Sequence, residues 1–221
     1  MGKIVDYKLT EEIAHGIYVS RLAREVAREL HLSEELEDRV ALAGLLHDIG
    51  KLKLASYLYA DERPGSPLVV EEMRYVRMHP VLSSQTLLRF GFDEEVCRMV
   101  RYHHENNDGT GYPESLSGSS IPIGARIIRV CDVYAALTSD RPYRSRFSEA
   151  EAIALMIEEI SNFDLLIFLA FERVVHRVGT SYKVEIPDSD EELCPAIAVR
   201  HKRPFVHYAR WKPPHHRLRD A

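Results

Sequence analysis

The sequence predicts a mainly α-helical protein, a helical bundle with a short β-containing appendage at its C-terminus. Two observations predict the bundle: apolar residues recur at three- and four-residue spacing over the first three quarters of the chain, and capping residues and glycines separate these segments. A third observation predicts the appendage. The pattern changes after about residue 180 to short alternating or β-branched runs, which favour strands.

The first two helices are predicted from their caps and apolar stripes. Thr10 is the candidate N-cap of the first helix, whose apolar face continues to Leu30. Ser33 caps a second helix, which we expect to end at Gly50, because glycine is a common helix terminator.

The later elements follow from the same kinds of signal. Residues 108–124 are rich in glycine, serine and proline and predict an irregular loop. Further helices are predicted over residues 71–78 and 79–90, from Asp93 to the His103-His104 pair, over residues 127–137, and after the capping box of Ser148 and Glu151.

The C-terminal part is predicted to be a separate extension. Short strands are expected over residues 181–186 and 196–200, and the basic tail beyond Trp211 is expected to fray. The predicted division is therefore a helical catalytic domain over residues 1–178 and a small extension over residues 179–221.

Composition excludes several classes of function. A net charge of −5 over 221 residues argues against general nucleic-acid binding, which needs a broad basic surface. No apolar run reaches the roughly 18 residues that a membrane span needs, and the polar N-terminus lacks a secretory signal. The three cysteines are far apart and form no CxxC motif, so a cytoplasmic location is expected.

Histidines and aspartates occur in an order that indicates a metal centre. Asp48 and Asp132 each lie within an apolar run, so both carboxylates are expected to be buried, and a buried carboxylate needs a partner. Neighbouring helical side chains point about 100° apart, so an adjacent pair can face two metals. The candidate ligands are His15, His47, Asp48, His79, His103, His104 and Asp132, with Glu11 one helical turn before His15.

This set of donors predicts a class of chemistry. Imidazole and carboxylate ligands without a thiolate suit iron or manganese, with zinc or nickel as alternatives. Two metals about 3.5 to 4 Å apart can clamp a phosphoryl group and supply a nucleophile at neutral pH. The sequence therefore predicts a metal-dependent phosphohydrolase.

Four motifs carry a resemblance to one enzyme family over roughly residues 9–146. They are His47-Asp48-Ile49-Gly50-Lys51, His79-Pro80, His103-His104-Glu105 followed by Asp108-Gly109-Thr110-Gly111-Tyr112-Pro113, and the segment from Arg126 through Asp132 to Arg144. The chain thus resembles the HD-GYP phosphodiesterases of the HD metal-dependent phosphohydrolase superfamily. The resemblance implies an HD-domain-like bundle that hydrolyses the bacterial signalling molecule cyclic di-GMP to linear pGpG, with GMP left open as a further product.

The resemblance also implies roles for individual residues. The seven histidines and aspartates would be metal ligands. Glu11 stands where members that hold three metals rather than two carry a glutamate, so the resemblance favours a trinuclear site. Asp48 and Lys51 would be the catalytic residues, with Lys51 also beside the scissile phosphate. Arg141, Arg144 and Tyr112 would bind substrate, and the loop Gly111-Tyr112-Pro113 could contact a GGDEF-type cyclase domain.

Departures from the family pattern leave alternatives open. Asn106-Asn107 replaces a basic–aromatic pair that is common in the family, and Ala135 stands where a second aspartate is frequent. One alternative is a cyclic-dinucleotide-binding or cyclase-docking module with little turnover. Another is an HD hydrolase of a different cyclic dinucleotide. A homodimer is also compatible with the sequence.

Overall fold

Eight α-helices make up most of the part of the chain that the computed structural model describes, which is residues 9–58, 76–140 and 145–183. Two single 3₁₀ turns lie between them, at Gly118–Ser120 and Ile160–Asn162. The helices are α1 (Leu9–Glu29), α2 (Glu34–Leu46), α3 (Lys51–Leu58), α4 (His79–Arg89), α5 (Glu94–Tyr102), α6 (Ile123–Leu137), α7 (Glu149–Glu158) and α8 (Leu165–Val178).

Helix α6 lies at the centre of the bundle and contacts α1, α2, α5, α7 and α8. Its sequence is apolar on most sides, as expected for a helix that is covered all round. Ile127 and Ile128 of α6 are fully buried and belong to one apolar core with Leu22 of α1 and Phe171 of α8. This packing fixes the position of Asp132, which lies one turn further along α6.

Helices α1 and α2 pack against each other at very close range. A Cβ atom on Gly16 would lie 2.6 Å from the carbonyl oxygen of Leu45, so only glycine fits at this point of α1. The approach brings His15, the residue before Gly16, to the end of α2, where His47 follows.

Three predicted helix starts are confirmed by their caps. The Ser33 side chain accepts a hydrogen bond from the backbone N–H of Leu36, and Asp93 accepts one from that of Glu95. Ser148 and Glu151 form the predicted reciprocal capping box. The short polar side chains satisfy backbone donors that the first turn of a helix leaves without partners.

Other predicted boundaries were wrong. Thr10 lies inside α1 and does not cap it. Helix α2 ends at Leu46, four residues before the predicted end, because the backbone N–H of Gly50 donates to the Ser83 hydroxyl instead of a helical carbonyl. Helix α6 begins at Ile123, within the predicted loop, directly after Pro122, whose ring geometry suits a helix start.

Some predictions fall on other parts of the chain. Most of the helix predicted over residues 71–78 lies outside the described residues, as do the strand at 196–200 and the tail. Ser181 to Lys183 form a turn after α8 rather than the start of a strand. The β-containing appendage and the division at residue 178 therefore stay predictions. Within the described ranges, no helix is both long enough and apolar enough to cross a membrane.

Candidate metal centre

The seven predicted histidine and aspartate ligands converge at one place in the bundle. They come from α1, the turn between α2 and α3, the first residue of α4, the two residues after α5, and α6. The structure brings their potential ligand atoms within 4.8 Å of one another in three overlapping groups, which are His15, His47 and Asp132; His47, Asp48 and His103; and His79, His103 and His104.

The two aspartates connect these groups. Asp132 Oδ1 lies 3.0 Å from His15 Nε2 and 3.7 Å from His47 Nε2. Asp48 faces two histidines with its two oxygens: Oδ2 is 3.1 Å from His47 Nε2, and Oδ1 is 3.0 Å from His79 Nε2. Asp48 is thus in a position to bridge two cations.

Three of the histidines share one local arrangement that fixes the orientation of the ring. The Nδ1 atoms of His47, His79 and His103 each lie 2.7 Å from the backbone carbonyl oxygen three residues earlier in the chain. A carbonyl can only accept, so Nδ1 carries a proton, and in the neutral ring the lone pair of Nε2 is available to a metal. Bonds of this kind orient histidine ligands in metalloproteins.

The nitrogen atoms that remain facing one another need a cation between them. His79 Nε2 lies 3.3 Å from His103 Nε2 and 3.1 Å from His104 Nε2. Since His79 and His103 both donate through Nδ1, their Nε2 atoms are both acceptors and repel each other unless a cation binds both. His47 Nε2 and Asp48 Oδ1 are buried and lack a hydrogen-bond partner, which also indicates a cation at this place.

The electrostatics of the cluster also suit divalent metals. Burial raises the pKa of Asp48, but the charges of His47 and Lys51 outweigh it and hold that pKa well below its ordinary value. Burial also raises the pKa of Asp132, but the neighbouring imidazoles of His15 and His47 outweigh it and hold that pKa well below the usual range. Both carboxylates are therefore ionised at neutral pH.

The histidines are of two kinds. Burial, and then the charge of neighbouring histidines, lowers the pKa of His103 well below its ordinary value, and burial lowers that of His104 to about 3. Burial also lowers the pKa of His47, but Asp48 and Asp132 outweigh it and raise the value to about 10. In the absence of a metal, the two carboxylates thus hold a proton on His47 Nε2, and a bound metal ion would take the place of this proton. The donor set fits the metals that the sequence predicts.

Lys51 lies at the edge of the cluster. Its Nζ atom is 2.6 Å from Asp48 Oδ2 and 3.4 Å from Glu12 Oε2. Burial lowers the pKa of Lys51, but these carboxylates outweigh it and raise the pKa above its ordinary value, so the side chain is cationic. Glu11, by contrast, is exposed and belongs to none of the three ligand groups; its role as a ligand stays a prediction.

The turn that holds His47 and Asp48 is fixed against α4 by the Gly50 contact. A Cβ atom at Gly50 would lie 2.4 Å from the backbone oxygen of His79 and 2.6 Å from the backbone nitrogen of Ser83. Gly50, which follows the His47-Asp48 pair, therefore sets the distance between this pair and His79 of α4.

The Gly-Tyr-Pro loop is held by Glu105, whose structural role the sequence reasoning missed. This buried carboxylate accepts hydrogen bonds from the backbone N–H groups of Glu114, at 2.7 Å, and Leu116, at 3.0 Å. Gly111 packs on the same segment, since a Cβ atom there would lie 2.2 Å from the backbone nitrogen of Asn106. An acidic residue directly after two histidine ligands was the available signal.

Tyr112, the predicted substrate-binding residue, covers one ligand of the cluster. Its ring stacks on that of His104, with centroids 4.8 Å apart and planes at 25°, and its backbone N–H donates to the His104 carbonyl. The guanidinium of Arg77 lies 5.3 Å from the centre of the tyrosine ring. Burial raises the pKa of Tyr112 to about 12, so the phenol is neutral.

A basic residue that the sequence reasoning missed stands next to His104. Arg129 Nε donates to Asn106 Oδ1 at 3.0 Å, and Arg129 Nη1 lies 3.5 Å from His104 Nδ1. The signal for Arg129 was its position three residues before Asp132, on the same face of α6. The predicted phosphate-binding residues Arg141 and Arg144 lie outside the described residues.

Comparison with known proteins identifies the family to which the chain belongs. A family model described as HD domain matches residues 1–165, and the chain belongs to this family. The predicted HD-GYP resemblance is confirmed.

Two curated relatives and one solved structure illustrate the likeness. The chain is 38% identical over 82% of its length to a cyclic di-GMP phosphodiesterase of Pseudomonas aeruginosa, and 34% identical over 87% to a 3'3'-cGAMP-specific phosphodiesterase of Vibrio cholerae. It spans 44% of the length of each. The structure of an HDG"Y"P protein from Bdellovibrio bacteriovorus aligns with 78% of this chain and 55% of its own, at a TM-score of 0.60 and 21% identity, which shows a common fold.

Proposed function

We propose that the chain is a metal-dependent phosphodiesterase that hydrolyses cyclic di-GMP to linear pGpG. The observation that carries the proposal is the cluster itself: two ionised carboxylates and five histidines with converging ligand atoms, three of the histidines held by backbone carbonyls. The substrate is inferred from the cyclic di-GMP phosphodiesterase to which the chain is 38% identical.

The three overlapping groups of ligand atoms would hold two or three divalent ions. Asp48 would bind two of these ions, one through each carboxylate oxygen. Iron or manganese fits the imidazole and carboxylate donors best, because no thiolate takes part. Bound ions of this kind supply Lewis acidity toward a phosphoryl oxygen and lower the pKa of water.

The remaining charges of the site act on the substrate. Lys51 is a cation at the rim beside Asp48, and we assign it to the scissile phosphate, whose negative charge it would neutralise and orient. Tyr112 forms the wall of the site over His104. Arg141 and Arg144 stay predicted phosphate ligands, a role that the planar guanidinium suits.

A second substrate has support of its own. Two relatives of Vibrio cholerae that are 34% identical to the chain are named 3'3'-cGAMP-specific phosphodiesterases. Cyclic GMP-AMP has the same phosphodiester ring and differs in one base, so the metal cluster would act on both. Discrimination between the two substrates would come from the residues at the rim of the site, such as Tyr112 and Arg129, and not from the metals.

The direct test is turnover by protein loaded with iron or manganese. We expect linear pGpG to form from cyclic di-GMP, and the ratio of kcat/KM for cyclic di-GMP and 3'3'-cGAMP decides between the two substrates. Chromatography of the products also shows whether GMP follows. Tight binding without any product over hours would contradict the proposal and favour a binding or docking module.

The predicted partners and location form a separate part of the proposal. Contact of a GGDEF-type domain with the Gly111-Tyr112-Pro113 loop follows from the family resemblance. A homodimer is compatible with the sequence, and the cytoplasmic location follows from the cysteine content. Titration of the chain with a purified GGDEF domain, followed by light scattering, would test the first two. Association that survives Tyr112→Ala would contradict docking through the loop.

A further inference from the structure

The geometry around His104 points to a second anion site beside the metal cluster. We propose that Arg129 and the Nδ1–H group of His104 together bind the phosphate of a cyclic dinucleotide that is not being cleaved. The proposal rests on the proposed function, because it takes His104 as a ligand of the metals through Nε2.

The first step is the tautomer of His104. Its Nε2 atom lies 3.1 Å from His79 Nε2 and therefore faces the cluster, where a metal would take its lone pair. A neutral imidazole carries its proton on the other nitrogen, so Nδ1 is then a donor. This nitrogen lies on the side of the ring that faces away from the cluster.

The second step is the partner that Nδ1 meets. Arg129 Nη1 lies 3.5 Å from His104 Nδ1, and an arginine has donors only. Two donors therefore face each other and cannot hydrogen-bond directly. An oxygen that accepts from both would satisfy them, and a phosphate oxygen is suited to this, since arginine–phosphate hydrogen bonds are among the strong ones.

The third step is the charge of Arg129. The side chain is half-buried, and its Nε–H is held by the neutral amide of Asn106. Within the described residues no carboxylate forms an ion pair with Arg129. By comparison, Arg126, one helical turn earlier, is paired with Asp164 at 2.5 Å. A partly desolvated cation without a counter-ion is costly unless an anion binds it.

The position of this pair selects the phosphate. The scissile phosphate has to lie on the metal side of His104, whereas Arg129 lies beyond the opposite edge of the ring. Cyclic dinucleotides carry two phosphates on a closed ring, so the second one is available to the outer position. The stacked rings of His104 and Tyr112 would lie between the two phosphates.

The test compares two substrates that differ in the number of phosphates. Arg129→Gln is expected to raise KM for cyclic di-GMP about 10- to 100-fold, the factor for a hydrogen bond to a charged group, with a smaller change in kcat. The loss of kcat/KM is expected to be at least about tenfold greater for cyclic di-GMP than for bis(p-nitrophenyl) phosphate, which has a single phosphate. Equal losses on the two substrates, or no loss, would overturn the inference.

Companion variants separate ligand binding from a structural role. Arg129→Lys keeps the cation and should recover part of the affinity and its salt dependence. Asn106→Ala removes the amide that holds Nε, together with the hydrogen bond from this amide to Thr110 Oγ1, and should still cost less than Arg129→Gln. An equal cost would mean that Arg129 acts by holding the loop, which contradicts the inference. Arg98→Gln, which removes an exposed charge from α5, is the matched control.

Binding measurements distinguish failure of this inference from failure of the proposed function. If the wild-type protein turns over no cyclic dinucleotide, the proposed function fails, and the Kd for cyclic di-GMP takes the place of KM. A Kd weakened about tenfold or more by Arg129→Gln then still supports the anion site. An unchanged Kd, or no binding of cyclic di-GMP to the wild-type protein, overturns it.

Discussion

The metal cluster and the rim beside it are built in different ways. In the cluster, backbone carbonyls fix the rings of His47, His79 and His103, so the helices themselves determine where the ligand atoms lie. At the rim, the side chain of Arg129 is held by the Asn106 amide, and Tyr112 lies on a loop that the Glu105 side chain holds. The cluster is therefore tied to the fold, whereas substitutions at the rim can change substrate preference without disturbing the metals.

The largest expected effect comes from the residue that connects the ligand groups. Asp48→Asn should remove at least one metal per chain and lower kcat/KM by about 10³-fold or more, beyond the 10- to 100-fold cost typical of residues that only orient a ligand. Metal content and turnover are measured on the same preparation. Asp38→Asn, at an exposed aspartate paired with Arg24, is the control. Full activity of the Asp48→Asn variant would refute the assignment of the cluster.

A smaller effect is expected where the backbone positions the cluster. Gly50→Ala introduces a Cβ atom against the backbone of His79 and Ser83, so it should lower the free energy of unfolding by about 1–3 kcal/mol and reduce metal content. Ser83→Ala removes the hydrogen bond to Gly50 without adding an atom and should retain the metals. Denaturant titrations and elemental analysis test both variants. Unchanged metal binding by Gly50→Ala would contradict the claim that the packing of this turn positions the metal ligands.

The support of the rim should respond differently from the cluster. Glu105→Ala leaves the backbone donors of Glu114 and Leu116 without their acceptor, at about 1–3 kcal/mol each. We expect a higher KM with full metal content. Glu94→Gln, at an exposed carboxylate of α5, is the matched control. If the Glu105→Ala variant loses its metals, the rim cannot change without disturbing the metal cluster, which contradicts the distinction drawn between the two regions.

The smallest effect is expected from the aromatic wall. Tyr112→Ala removes the ring that stacks on His104 and should raise KM about 2- to 10-fold, as the loss of one aromatic pair predicts. Tyr112→Phe keeps the ring and should cost less. Steady-state kinetics on cyclic di-GMP compares the two, and an equal loss for Tyr112→Phe and Tyr112→Ala would mean that the hydroxyl, not the ring, contacts the substrate.

The cluster was predictable from sequence to a greater extent than the rim. Asp48 and Asp132 each interrupt an apolar run, which is a local sign of a buried carboxylate with a partner, and the structure does bring them together around His47. Their convergence is a property of the packing of α2 and α6, which the apolar periodicity of the helices encodes.

The remaining features depend on tertiary contacts that leave little trace in the sequence. The early end of α2 follows from the bond between Gly50 and Ser83, 33 residues apart in the chain. The roles of Glu105 and Arg129 follow from which backbone and amide groups lie opposite them. The spacing to His15 and the family resemblance both gave Glu11 a ligand role; Glu11 is exposed, and this role stays a prediction.

The most direct test of the account is a count of metal ions per chain in a preparation to which no metal has been added. Elemental analysis, with anomalous scattering to locate the ions, should give at least two iron or manganese ions per chain, bound among His15, His47, Asp48, His79, His103, His104 and Asp132. A chain that binds fewer than one ion even after loading, or binds its ions elsewhere, would contradict the account.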